Sequence, residues 1–151
     1  MRLPATLKNW LPAIGWACVI SILSTDRFST EHTSAIIFPI LHWLFPHASR
    51  GTIRLMHAVI RKLAHITEYF IFGIFLMHVV RGQNRGWQLR WSVWAVSIAA
   101  AYAALDEFHQ LFVPSRHSSP WDALLDISGA AAAQVILRLW YLRKRMIPGD
   151  R

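Results

Sequence analysis

Polar and ionisable side chains gather in one short segment of this chain, between two strongly apolar runs. From Ala104 to Asp122 the segment carries Asp106, Glu107, His109, Gln110, Arg116, His117 and Asp122. Carboxylates and imidazoles can act as general acids or bases, and a guanidinium can hold an anion. Each ionised side chain costs roughly 2.5–3.5 kcal/mol at the middle of a bilayer on insertion scales. The cluster is therefore either an ordinary solvated loop or a functional site.

A second group of polar side chains lies within the apolar run around residues 53–80. On a helix with 100° of rotation per residue, these side chains share one sector of roughly 120°. Its members are Arg54, Arg61, Lys62, His65, Glu68 and Tyr69. Glu68 is spaced to pair with Arg61 or His65. A helix whose outer half is merely wet is the alternative, and it explains Glu68 and Tyr69 less well because they lie further along.

A third group begins the last apolar run. Asp122, Asp126, Gly129 and Ala133 follow one another at spacings of four, three and four, so they share one helical face. Small residues on such a face let a neighbouring helix approach closely, which predicts that the Asp126 carboxylate points into a helical bundle. Asp122 alone has a simpler alternative as a helix N-cap.

Four apolar segments must position these groups. They cover about residues 7–24, 53–80, 87–105 and 121–141, each close to the 20 or so residues that cross a bilayer. A fifth apolar stretch, residues 33–47, contains Pro39 and Pro46 and is too short and broken to cross. We expect an all-α integral membrane protein with four transmembrane helices and a short interfacial or re-entrant segment between the first two.

The positions of lysine and arginine predict the orientation. Four spans place the N-terminus, the loop after the second span and the C-terminal tail on one side. Because all three are basic, that side should be the cytoplasm, although Arg27, Arg50, Arg54, Arg61, Lys62 and Arg116 fall on the other side. The three polar groups then meet at one depth on the outer side. This convergence favours a functional site over scattered solvated loops.

Composition excludes several other classes. With 151 residues there is room for a single domain, residues 1–151. The net charge of +8 comes from bases scattered singly or placed at the ends of apolar runs, so we predict no nucleic-acid partner. One cysteine, Cys18, can form no internal disulfide.

These residues resemble the VanZ-like family of bacterial membrane proteins. The likeness runs from Ser21 to Gly129, and its specific parts are Lys62-Leu-Ala-His65 with Tyr69 and Gly73, Asp106-Glu107-x-x-Gln110, Pro114-x-Arg116, Asp122, and Asp126-x-x-Gly129. The resemblance implies a four-helix inner-membrane protein and, through the founding member, a link to low-level teicoplanin resistance. Many relatives carry Asn where this chain has Asp126, which adds a negative charge here.

Three functions compete for this set of residues. The first is an enzyme of the outer leaflet acting on a lipid-linked or cell-envelope anionic substrate, with membrane lipids as its surroundings. Its catalytic candidates are Asp106, Glu107, His65 and Asp122, and its substrate-binding candidates are Lys62, Tyr69, Gln110, Arg116 and Asp126. The second is a binding or accessory protein using the same charges without turnover. The third is a buried ion-pair network that only fixes helix packing.

Cofactor and protein partner stay open at this point. Asp106, Glu107 and Asp122 could supply oxygen ligands to Mg²⁺, but their spacing does not require a metal, so none is predicted. Ser115 is the nearest candidate for a covalent nucleophile, and no base is placed convincingly beside it.

Overall fold

A computed structural model describes residues 5–25, 29–113 and 119–146 of the protein. Five α-helices form this described part of the chain. Its helices are α1 (Ala5–Leu23), α2 (Thr30–Leu44), α3 (Arg50–Arg81), α4 (Leu89–Gln110) and α5 (Pro120–Met146). No strand occurs among the described residues, so the all-α prediction is confirmed.

The longest helix, α3, carries most of the polar sector. Ser49 caps its start, because the Ser49 side chain accepts a hydrogen bond from the Thr52 backbone N–H at 3.1 Å. Gly82 follows its last turn with a φ of 57°, a left-handed conformation that favours glycine. Its 32 residues extend about 48 Å, well beyond the roughly 30 Å of a bilayer core. One end of α3 can therefore project past the hydrocarbon.

The broken apolar stretch between the first two predicted spans folds as a helix, α2, that continues through Pro39. Its 15 residues extend about 22 Å, which agrees with the expectation that this segment is too short to cross. α2 packs on the first half of α3. There the Thr33 hydroxyl lies 3.2 Å from His57 Nε2, and the Phe38 ring meets the His57 ring edge-on at 5.3 Å.

Small residues fill the interior between α3, α4 and α5. Ala95, Ala99 and Ala103 recur every four residues on α4 and are fully buried. A Cβ on Gly129 of α5 would overlap the Ile66 carbonyl oxygen of α3. The close approach predicted from the small residues of α5 is confirmed, and Asp126 on the same face is only 1% exposed.

Large apolar side chains lie on the outside of the bundle. They include Trp94 and Leu105 of α4, and Leu124 and Ile136 of α5. Among the residues that the structure describes, two helices, Arg50–Arg81 and Pro120–Lys144, are long and apolar enough to cross a membrane by length and composition. The apolar part of α1, Lys8–Leu23, is shorter. Two of the four predicted spans thus meet this criterion.

Candidate functional site

A cavity of about 520 Å³ opens where four helices meet at one end of the bundle. Five polar side chains of α3 line it, namely Arg54, His57, Arg61, Lys62 and His65. The end of α4 adds Glu107 and Gln110, the start of α5 adds Asp122 and Leu125, and α2 adds Thr30, Ser34 and Phe38. We call this cavity the polar pocket. Segments far apart in the sequence therefore bring their polar groups to one place.

Opposite charges face each other across the polar pocket. α3 supplies the cations and the ends of α4 and α5 supply the carboxylates. Lys62 Nζ and Asp122 Oδ1 are 3.9 Å apart, with the two side chains 61% and 39% exposed. An exposed pair at this distance contributes about 0–1 kcal/mol, so a ligand can separate it at small cost.

His65 and Asp126 form a second pair, across α3 and α5. His65 Nδ1 lies 3.4 Å from Asp126 Oδ1, and His65 lines the polar pocket while Asp126 is buried. A carboxylate behind an imidazole fixes its orientation and stabilises the imidazolium form. Since Nδ1 faces Asp126, the other ring nitrogen, Nε2, is the candidate to serve a ligand in the polar pocket.

Asp106 is buried beside the polar pocket and is not among the residues that line it. Its Oδ2 accepts hydrogen bonds from the Ser24 hydroxyl at 2.7 Å and from Gln110 Nε2 at 3.0 Å. The first bond ties the end of α1 to the end of α4. The second holds the Gln110 amide, which does line the polar pocket.

Glu107 lines the polar pocket and also fixes the start of α5. Its Oε2 accepts a hydrogen bond from the Ser119 backbone N–H at 2.8 Å. Ser119 directly precedes α5, whose first turn carries Asp122. The position of Asp122 therefore depends on this contact.

Two further predicted residues take other places. Tyr69 is fully buried, with its ring near those of Phe72 at 6.2 Å and Tyr102 at 6.5 Å, so it supports the interior and does not line the polar pocket. Arg116 lies outside the described residues, together with Pro114, Ser115 and His117.

Sequence reasoning missed His57 and the α2 wall of the polar pocket. His57 lies about 20° beyond the edge of the polar sector on α3, so a sector wider by that angle would have included it. Thr30, Ser34 and Phe38 recur every four residues and share one face of α2. That periodicity was present in the sequence but does not by itself name the neighbouring helix.

The donor set does not resemble a metal centre. Within residues 5–25, 29–113 and 119–146, no three His, Cys, Asp or Glu side chains are grouped as a metal ion would require. Asp106 and Glu107 already accept hydrogen bonds from protein donors.

Comparison with known proteins assigns the chain to a family. No curated protein and no solved structure matches the chain. The family model VanZ/LLP1 matches residues 9–141, a range that contains every described residue of the polar pocket. The chain belongs to the VanZ/LLP1 family.

Proposed function

We propose that this protein is a multi-pass inner-membrane protein whose polar pocket takes an anionic, lipid-linked or cell-envelope ligand on the outer side. The observation that carries the proposal is the arrangement of the polar pocket: arginine and lysine on α3 face a space that also holds the paired His65. Such a cavity combines anion binding with a group that can transfer a proton.

The membrane part of the proposal is supported by how apolar residues are distributed. Alanine and glycine lie inside, where they allow close helix packing, and large apolar side chains cover the outside. We assign α1, α3, α4 and α5 as the four spans and α2 to the outer interface. With these four spans, the basic loops favour an orientation with both termini in the cytoplasm and the polar pocket on the outer side.

The charges of the polar pocket favour a phosphate group in the ligand. Arg54 and Arg61 can each donate two parallel hydrogen bonds to phosphate oxygens, and Lys62 adds a point charge. Charge-assisted hydrogen bonds of this kind contribute about 1.5–3 kcal/mol each.

A lipid tail on the ligand is supported by the surface around the polar pocket. Leu55, Val59 and Leu63 lie next to the pocket cations on α3, and Trp121 lies next to Asp122 on α5; all four are exposed. A ligand with a charged head in the polar pocket could keep its apolar part against these side chains or in the bilayer.

If the ligand is turned over, His65 is the general base of this proposal. Nε2 would take a proton from an attacking hydroxyl or water, whose oxygen would form a bond to phosphorus as the phosphorus–oxygen bond to the leaving group breaks. Asp126 would stabilise the imidazolium, which would then give its proton to the leaving oxygen. The cations of α3 would stabilise negative charge on the reacting phosphate. The reaction class is then transfer or hydrolysis at a phosphate centre.

A binding or accessory protein without turnover is the second candidate. It is favoured by the hydrogen bonds of Asp106 and Glu107, because these two carboxylates hold α1 and α5 in place and are therefore less free for proton transfer. His65→Gln separates the candidates: an enzyme would keep its ligand and stop converting it, whereas a binding protein has no conversion to lose.

Native mass spectrometry of protein gently extracted from its own membrane tests the ligand. We expect wild type to retain a phosphate-bearing lipid or envelope precursor. Arg54→Gln and Lys62→Gln should each retain at least about ten-fold less of it. Arg50→Gln is the matched control, since Arg50 is exposed on the same helix and does not line the polar pocket. Equal retention by all four proteins would overturn the assignment of the pocket.

The family also motivates a test in cells. Expression of wild type in a sensitive host is expected to lower its susceptibility to teicoplanin, and Lys62→Gln is expected to remove the effect at equal protein level. If expression of wild type leaves teicoplanin susceptibility unchanged, this protein has no role in glycopeptide resistance. The ligand experiment would then define its role.

A further inference from the structure

A second, smaller cavity lies at the opposite end of the bundle, where α3 ends and the chain leads into α4. Its volume is about 50 Å³, and Trp87, Arg138, Tyr141 and Leu142 line it. A single water molecule needs roughly 10–15 Å³ by this kind of measure, so the cavity admits a larger group. We call it the basic cavity.

Aromatic rings hold two arginines at the basic cavity. The Arg138 guanidinium lies 5.1 Å from the centroid of the Trp87 ring. The Arg81 side chain donates a hydrogen bond to the Tyr141 hydroxyl, and its guanidinium lies 5.7 Å from the centroid of the same ring. Contacts of this kind restrict both cations before any ligand arrives.

Two buried hydrogen-bond donors at this end lack an acceptor among the described residues. Among the described residues, Arg81 Nε and Trp87 Nε1 are enclosed and have no hydrogen-bond partner. Both groups only donate, so the missing partner is an acceptor. Buried donors without partners are costly, and the two guanidinium charges beside them favour an anionic oxygen.

No carboxylate of the neighbouring segments can supply that oxygen. The sequence has no Asp or Glu in residues 1–25, 69–105 or 127–149. Those ranges contain α1, the end of α3, most of α4 and all of α5 after Asp126. Within these ranges, therefore, no side-chain carboxylate offsets the positive charge at this end.

From this geometry we infer that the basic cavity binds the phosphate group of an anionic membrane phospholipid. Exposed Leu139 and Trp140 lie next to the cavity residues on α5, and Lys144 Nζ lies 4.5 Å from the centroid of the Trp140 ring. Lysine and arginine beside tryptophan at a helix end are typical of the headgroup region, where basic pockets between helices bind anionic lipids. The inference requires a membrane but not the ligand of the polar pocket.

Native mass spectrometry in detergent, with short-chain lipids added, tests this inference. We expect saturable binding of dioctanoyl phosphatidylglycerol and at least ten-fold weaker binding of dioctanoyl phosphatidylcholine. Arg138→Gln should weaken phosphatidylglycerol binding about ten-fold. Arg85→Gln is the matched control, since Arg85 is exposed at the same end and does not line the basic cavity. Arg50→Gln, at the other end and outside the polar pocket, should also bind as wild type does.

Each other outcome overturns the inference. Equal binding of the two lipids would show that the basic cavity does not recognise headgroup charge. An equal loss of phosphatidylglycerol binding in Arg85→Gln would show that binding depends only on the net charge of the protein. Competition by inorganic phosphate at the lipid's own concentration would assign the basic cavity to a free anion. If Arg138→Gln does not fold, Trp87→Phe is the second variant, because it removes one unpartnered donor and keeps an aromatic ring. Unchanged phosphatidylglycerol binding by Trp87→Phe would also overturn the inference.

Discussion

The Asp126 carboxylate is enclosed, and His65 is the side chain that lies against it. A buried charge that loses its partner is strongly destabilising, by about 3–5 kcal/mol. We therefore expect His65→Ala to lower the free energy of unfolding by about that amount, measured by denaturant unfolding in detergent. Asp126→Asn in the same background should recover most of the loss, because the amide carries no charge.

A double-mutant cycle decides whether the two residues are coupled. Independent, additive losses in His65→Ala, Asp126→Asn and the double variant would show that the pair does not act as a unit. In that case, a loss of function in a variant that still folds would be assigned to His65 alone.

Ser24 and Asp106 make the second residue-scale prediction. Ser24→Ala removes one of the two hydrogen bonds to Asp106 Oδ2, and we expect a loss of about 1–3 kcal/mol in the free energy of unfolding. Ser128→Ala is the control, because Ser128 is exposed and its hydroxyl donates a hydrogen bond to the Leu125 carbonyl of its own helix. Equal changes in both variants would argue against a special role for Ser24.

At the scale of helices, the contact of α3 with α5 depends on Gly129. Gly129→Ala places a Cβ against the Ile66 carbonyl oxygen, so the two helices must separate. We expect a loss of about 1–3 kcal/mol in unfolding free energy together with weaker coupling of His65 to Asp126. Gly15→Ala on α1 meets no atom within 4 Å and should be neutral or stabilising by up to about 1 kcal/mol.

α2 depends on few contacts with the rest of the protein, and Phe38 makes one of them against His57. We expect Phe38→Ala to speed hydrogen exchange of the α2 amides while exchange in α4 and α5 stays at the wild-type rate. Ile36→Ala serves as the control because Ile36 is 68% exposed on the same helix. A uniform increase along all helices would mean that α2 and the bundle unfold together.

The orientation of the whole molecule can be measured with single cysteines. In a Cys18→Ser background, His47→Cys lies in the loop between α2 and α3, and Gln83→Cys lies between α3 and α4. An impermeant maleimide should label the first in intact cells and the second only after permeabilisation, because the basic loop is expected in the cytoplasm. The reverse pattern would place the polar pocket on the cytoplasmic side.

Hydrophobic runs and helical periodicity were enough to predict much of this architecture. Hydrophobic runs located α1, α3, α4 and α5 to within a few residues, and helical periodicity placed Lys62 and His65 on one face of α3. The same periodicity put Asp126, Gly129 and Ala133 together on α5. These predictions succeeded because angles along one helix depend only on residue spacing.

The helical class, the family resemblance and the polar faces could be predicted before folding was considered, since all three are properties of residue spacing and residue type. Packing of the helices against one another produced the other features. It made α2 a wall of the polar pocket, turned Asp106 toward Ser24, buried Tyr69 and paired His65 with Asp126. Contacts between helices depend on the rotation and separation of the packed helices, which here follow from close approach at Gly129 and Gly73. Spacing along one helix carries no information about that rotation.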